Sequence, residues 1–299
     1  MRHDLFLYEH DEAMVRKMAP FLESGLADGQ HAVVVIERRK WEVLAGALGS
    51  DANTILYIDR DSFYTRPEAA LASYDGALRR FLRDGASGVR VFGELPRCET
   101  DAQSNLWLTY EAILNRAFTH HAVWLMCGYD AREVPGRLLE GGLETHAEVL
   151  SDDWAQSPYY RDPAEVVRVR TPTPAVLTGL RPLSLDRGPL GFREGLSAEL
   201  QAAGVPDPEA ENMLIAAGEV LGNAHRHGGE MVSVSVGPVG ERFVCEVSDD
   251  GAGLDDPLAG FLPPRPGHSS GAGLWVARQL TQQVELVPSA RGTTVRLWI

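Results

Sequence analysis

The sequence predicts an α/β domain with a largely parallel sheet, followed by a separate α+β domain, and three observations carry that expectation. Short apolar, β-branched runs recur through the first half: HDLFLY, HAVVVI, NTILYI, GVRVFGEL and AVWLMCGYD. Amphipathic stretches lie between them, and strand–helix alternation of this kind builds a parallel sheet with helices on both faces. After a proline-rich stretch the rhythm changes to two helices and then to a run of strands.

Taken in order, helical spacing places Val15, Met18, Phe21, Leu22 and Leu26 on one face. The same spacing joins Leu71, Tyr74, Leu78, Phe81 and Leu82, and then Leu106, Leu108, Tyr110, Ile113, Leu114 and Phe118. ETHAEVL is expected to close a last helix near residue 150, so the first domain spans 1–155. Residues 156–183 read as a linker, because Pro158, Pro163, Pro172, Pro174 and Pro182 interrupt any long helix. EVVRVR is its one candidate strand. In the second domain, 184–299, helices are expected across GPLGFREGLSAELQAAG and PEAENMLIAAGEVLGNAHRHG. The latter has Pro208 near its start and Gly228–Gly229 as its stop. MVSVSVGPV, RFVCEVSDD, QVELVPS and GTTVRLWI then supply a mixed, mostly antiparallel sheet.

Composition narrows the function classes. With 299 residues, 44% of them hydrophobic, the chain is globular and long enough for two cores. A formal charge of −14 argues against a general nucleic-acid coat, which needs a basic face. No apolar run approaches the roughly 20 residues of a membrane span. MRHDLFLYEHDE is no signal peptide, so a cytoplasmic protein is expected, with neither membrane nor nucleic acid as direct partner. Cys98, Cys127 and Cys245 are far apart and odd in number; they fit no disulfide framework and no CxxC zinc site, and read as buried or semi-buried free thiols. Lysine occurs only at Lys17 and Lys40 while arginine is abundant, which reads as coding bias rather than chemistry.

EVLGNAHRHG, residues 219–228 with its leading glutamate at Glu219, is the densest polar segment of the second domain. Glu219 and Asn223 are i and i+4 and share a helix face. His225 is rotated about 200° from Asn223 and does not join them. His227 falls at the helix end, beside free carbonyls. A zinc cage is disfavoured, since the two histidines are i and i+2 and no third His or Cys lies nearby. Taken alone, the pair reads as a solvated helix edge. Three glycine motifs follow it: Asp249-x-Gly251-x-Gly253 after a strand, Gly271-x-Gly273-Leu274 at a helix start, and Gly292-Thr293 before the last strand.

In this order and spacing the four elements resemble the GHKL, or Bergerat-fold, ATPases over residues 184–299. The resemblance implies an ATP-binding α+β domain in which Asn223 ligates Mg²⁺ and Glu219 activates the attacking hydroxyl or water. It implies that Asp249 accepts from the adenine amino group, that Gly251 and Gly253 admit the base, and that Thr293 completes the adenine contact. Gly271, Gly273 and Leu274 would open a helix onto the phosphates, where backbone N–H groups favour anions. Residues 255–270 would be a short lid. The leading helix, the E-x-x-x-N-A pattern and the short lid look most like the anti-sigma-factor serine kinases. A sensor histidine kinase needs a phosphoacceptor histidine upstream, and His146 is the only candidate. Gyrase- and MutL-like clamps carry a further domain after the ATPase and are not expected.

The first domain resembles the MEDS sensory family, through HDLFLYEHDEAMVRKMAPFLESGLADGQHAVVVIE, VRVFGELPR and LMCGYDAREVP. That resemblance implies a RecA/KaiC-like α/β fold that senses a small-molecule signal. YEHDEAM stands where a P-loop would be and lacks GxxxxGK[ST], so no nucleotide is expected there by that mechanism. Tyr8, His10, Asp11 and Glu94 fall at carboxyl ends of strands, where α/β sheets place ligands; as an alternative they cap helices and loops. Together the resemblances imply a Mg·ATP-dependent serine/threonine kinase acting on an anti-sigma antagonist and binding a sigma factor, with a sensory domain in front; a homodimer is left open. The alternatives are a catalytically silent, nucleotide-gated interaction module and a histidine-kinase-like protein.

Overall fold

The computed structural model describes residues 1–262, 272–287 and 292–299. They form two compact units, Met1–Thr171 and Pro172–Ile299.

The first unit runs β1 (Arg2–Tyr8), α1 (Asp11–Ala27), β2 (His31–Ile36), α2 (Arg38–Leu48), β3 (Leu56–Asp59), the single turn α3 (Arg60–Phe63), α4 (Pro67–Arg83), β4 (Val89–Glu94), α5 (Asp101–Ala117), β5 (Val123–Asp130), α6 (Gly136–Thr145), β6 (Glu148–Leu150), β7 (Trp154–Gln156) and α7 (Pro163–Arg170). The sheet order is β3-β2-β4-β5-β1-β6-β7. Strands β1 to β6 pair in parallel, and β7 turns back antiparallel on β6. The five apolar runs of the first half all form strands. Helix α1 buries Met14, Met18 and Leu22 against Phe6, Val34, Ile36, Phe92 and Met126. Helix α5 starts from a capping box in which Thr100 and Gln103 satisfy each other's backbone N–H groups.

Two local expectations are corrected. The last helix, α6, stops at Thr145, and Glu148–Leu150 forms β6, paired with Asp4–Phe6 of β1. EVVRVR is helix α7, not a strand: the Asp162 side chain caps the Ala164 N–H, and Pro163 sits in the first turn, where its missing N–H costs nothing. Val166 and Val167 are buried, so this helix belongs to the first unit.

The second unit contains β8 (Arg181–Leu183), α8 (Gly188–Ala202), α9 (Asp207–His227), β9 (Val232–Val239), β10 (Arg242–Asp249), α10 (Ala272–Leu280), β11 (Gln283–Val287) and β12 (Thr294–Trp298). The sheet order is β11-β12-β10-β9-β8, and every pairing among the described residues is antiparallel rather than mixed. Leu196, Leu200, Met213, Ala217 and Val220 of α8 and α9 pack with Val234, Val236, Cys245, Val247 and Leu297 of the sheet. Among the described residues no helix is long and apolar enough to cross a membrane.

Candidate functional site

Helix α9 turns Met213, Ala217, Val220, Leu221 and Ala224 inward, which leaves Glu219 exposed and Asn223 half-buried on a different face. The end of α9 is fastened to the end of β10. The Asp250 N–H donates to Gly228 O (3.1 Å), and the Met231 N–H donates to Asp250 Oδ1 (2.8 Å). Gly229 makes the intervening turn at φ +77. Gly251 lies so close to the helix end that an added Cβ would sit 2.6 Å from His227 O.

Asp249, the last residue of β10, is locked to the strand beside it. Its N–H donates to Thr293 O (2.9 Å), and its Oδ1 accepts from the N–H groups of Gly251 (3.0 Å) and Thr293 (3.1 Å). Thr293 therefore meets Asp249 through its backbone. Gly292, at φ +75, passes so near that a Cβ there would lie 1.8 Å from Asp249 O. Gly292→Ala is accordingly expected to lower stability by at least about 2 kcal/mol, from the left-handed backbone and the clash together. Urea titration checks this, and an unchanged midpoint would show that the loop gives way freely.

On the other side of Asn223 stands α10. A Cβ at Gly273 would lie 2.5 Å from Asn223 Nδ2, so Gly273 gives the amide its room. Leu274 is half-buried, and Gly260 of the 255–262 segment lies against it, where a Cβ would be 2.6 Å from Leu274 Cβ. Gly253 takes φ +84. Asn223, Asp249, Gly251, Thr293, Gly273 and Leu274 thus gather around the C-terminal end of α9, with Glu219 one turn earlier. Gly271 and the lid stretch 263–270 lie outside the described residues. One contact was not foreseen: Arg226 Nη2 donates to Asn223 Oδ1 (2.6 Å), the oxygen that would ligate a metal.

These features test the pocket for Mg·ATP. An amide oxygen suits a hard cation, a strand-end carboxylate suits an amino group, and glycines stand where side chains would fill the cradle. The residues fit the group, provided that Arg226 moves off Asn223.

In the first unit the strand ends hold a buried ionic cluster. Lys40 of α2, fully buried, donates to Tyr8 Oη (2.8 Å) and Glu94 Oε2 (3.1 Å) and lies 3.0 Å from Asp130 Oδ2. Tyr8 Oη also donates to Glu94 Oε1, and Arg60 lies 3.9 Å from Glu94. Burial pushes the Glu94 carboxyl up. Burial also works to raise Asp130, but hydrogen bonds from Arg132 and Lys40 overcome it and hold that carboxyl below the usual range. The adjoining cleft encloses about 20 Å³, room for one water. Of the four strand-end residues, Tyr8 and Glu94 enter this cluster. Asp11 pairs with Arg39 and Arg132, while His10 is the exposed N-cap residue of α1. Sequence reasoning missed Lys40 and Asp130. The one available signal was that Lys40 is one of only two lysines in the chain. His146, the candidate phosphoacceptor, is fully buried and cannot meet another domain as it stands.

Residues 2–147 match the family model described as the methanogen/methylotroph, DcmR sensory domain, MEDS. Residues 186–299 match that of the histidine kinase-like ATPase domain. No curated protein matches the chain. Among solved structures, the chain is similar to the NMR structure of the histidine kinase domain of the E. coli osmosensor EnvZ. The identity is 19% and the TM-score 0.25, over 42% of this chain and 90% of that one.

Proposed function

We propose that this chain, a MEDS sensory domain joined to a histidine kinase-like ATPase domain, is a Mg·ATP-dependent serine/threonine kinase of an anti-sigma antagonist protein. In this reading it also binds a sigma factor. The observation that carries the nucleotide site is the meeting of Asn223 with Gly273 on one side and of Asp249 with Gly251 and Thr293 on the other.

When bound, Mg·ATP supplies the transferable phosphoryl group. Asn223 Oδ1 would hold the metal once the Arg226 guanidinium has turned away. Asp249 commits Oδ1 to two backbone N–H groups, and Oδ2 would accept from the adenine amino group. Glu219, exposed one turn from Asn223, would take the proton of an approaching hydroxyl. The short lid and the E-x-x-x-N-A pattern support the serine-kinase reading, and the burial of His146 weighs against the histidine-kinase one. The Arg226 bond favours a second reading: a nucleotide-gated interaction module whose metal site stays guarded.

Incubation with labelled ATP and candidate partner proteins tests these readings. Acid-stable label on a partner is expected; acid-labile label would point to histidine, and no label to the interaction module. Asn223→Ala is expected to leave the fold intact and abolish Mg²⁺-dependent ATP binding. Calorimetry showing unchanged affinity would remove Asn223 from the site.

A further inference from the structure

Four chemically unusual side chains meet inside the first unit. His3 comes from β1, Glu111 from α5, Cys127 from β5, and His146 from the residue that ends α6. None is more than 8% exposed. His3 Nε2 lies 2.9 Å from Glu111 Oε2 and 3.2 Å from Cys127 Sγ. Cys127 Sγ lies 3.4 Å from Glu111 Oε2, as does His146 Nε2. All four donor atoms fall within 4.8 Å of one another.

The outer partners decide how the rings are protonated. His3 Nδ1 faces Asn115 Oδ1 (3.2 Å), and Asn115 Nδ2 donates to two backbone carbonyls, Glu111 O and Thr145 O. The amide is thereby oriented with its oxygen toward His3, so Nδ1 carries the hydrogen. His146 Nδ1 lies 2.9 Å from Gly142 O and must donate as well. With both Nδ1 atoms turned outward to oxygen acceptors, both Nε2 atoms converge on the same carboxylate oxygen, Glu111 Oε2. Among the described residues, His146 Nε2 is fully buried and has no hydrogen-bond partner. A buried polar atom in that state destabilises the fold unless something binds it.

We propose that His3, Glu111, Cys127 and His146 bind one divalent transition-metal ion of the zinc class, in a four-coordinate site closed to solvent. A cation turns the converging atoms into ligands. Metal-bound histidines ordinarily donate their other ring N–H to a carbonyl or carboxylate, the arrangement that Asn115 and Gly142 already supply. The Cys127 thiol would lose its proton to solvent on binding; thiolate and carboxylate together then carry −2, which the ion balances in a site with no other solvation. Two imidazoles and a thiolate exclude Mg²⁺ and Ca²⁺. Metal–ligand bonds of about 2.0–2.3 Å put tetrahedral donor atoms roughly 3.3–3.6 Å apart; the 2.9–3.4 Å contacts already approach that spacing, and the wider pairs, separated by up to 4.8 Å, close by about an ångström on binding.

The test uses the untagged full-length chain, stripped with a chelator and titrated with Zn²⁺ and Co²⁺. One equivalent is expected, with the visible bands of tetrahedral cobalt and a near-ultraviolet thiolate-to-cobalt charge-transfer band. Cys127→Ser should remove the charge-transfer band, and Asn115→Ala, which touches no ligand atom of the metal, should weaken binding about 10–100-fold. Far-UV circular dichroism checks that each variant folds. The wild-type spectrum decides the matter even where a variant does not fold. Folded wild-type protein that binds no stoichiometric ion, or binds cobalt without a thiolate band, overturns the proposal.

Discussion

Glu219→Gln is expected to bind Mg·ATP about as tightly as the parent and to transfer phosphate about 10²–10⁴ times more slowly, the range for loss of a positioned base. The side chain is exposed on α9 and lies one turn before Asn223, on the face that meets α10. Glutamine keeps its shape and some hydrogen bonding but cannot take a proton. Transfer to the cognate antagonist, measured beside ATP titrations, separates three outcomes. The expected split makes Glu219 the base. Equal activity in both proteins would return it to a solvated helix edge. Negligible turnover in both, with ATP-dependent partner binding retained, would favour the interaction module and give the Arg226 bond to Asn223 its meaning as a guard.

How much of this was legible in the sequence depended on the range of the interaction. The strands of the parallel sheet were plain because strands buried on both faces read as unbroken β-branched runs, and HAVVVI is β2 almost unaltered. The Glu219–Asn223 relation was legible because it is fixed by helix pitch alone. That Gly273 sits against Asn223, fifty residues away, was not a matter of periodicity; only the resemblance suggested it. Short elements were misread where a local cue has two meanings. Pro163 breaks a helix from within but starts one at the first turn, and Asp162 before it was the deciding cap.

The buried polar groups were the least legible. Glu111 lies three residues from both Leu108 and Leu114, on the inner face of α5, where a carboxylate ought to have prompted a search for partners. Those partners, His3, Cys127 and His146, are spread along the chain from residue 3 to residue 146. They come together only because β1 and β5 are neighbours in the sheet. The two hydrogen-bonded imidazoles could not be told from surface histidines until that order was known.

Lys40→Met is expected to destabilise the first domain by about 3–5 kcal/mol at neutral pH, the cost of breaking a buried ion pair from one side. Methionine fills much the same volume, so packing is not the issue. Removing the ammonium leaves Glu94 and Asp130 facing each other with Glu133 nearby, and Arg60, Arg132, Arg97 at Glu133 and the Tyr8 hydroxyl to compensate. Arg132 already serves Asp130, whereas Glu94 keeps the Tyr8 bond and a guanidinium 3.9 Å away. Glu94 is therefore the group left in difficulty, and it already stands above the usual carboxylate range because it is buried. Without Lys40 it should rise further. A carboxyl whose folded pKa exceeds its unfolded one binds its proton more tightly in the folded state, so its contribution is fully present below the unfolded value and is lost as pH rises through the folded one. The defect should accordingly be small near pH 5 and grow toward pH 7.5. Adding Glu94→Gln should recover much of the loss and flatten that dependence, since the amide can still accept from Tyr8. Chemical denaturation of the three proteins at both pH values reads this out. A Lys40→Met protein within about 1 kcal/mol of the parent at pH 7.5 would mean that Glu94 is already protonated when folded and that Arg132 suffices to hold Asp130.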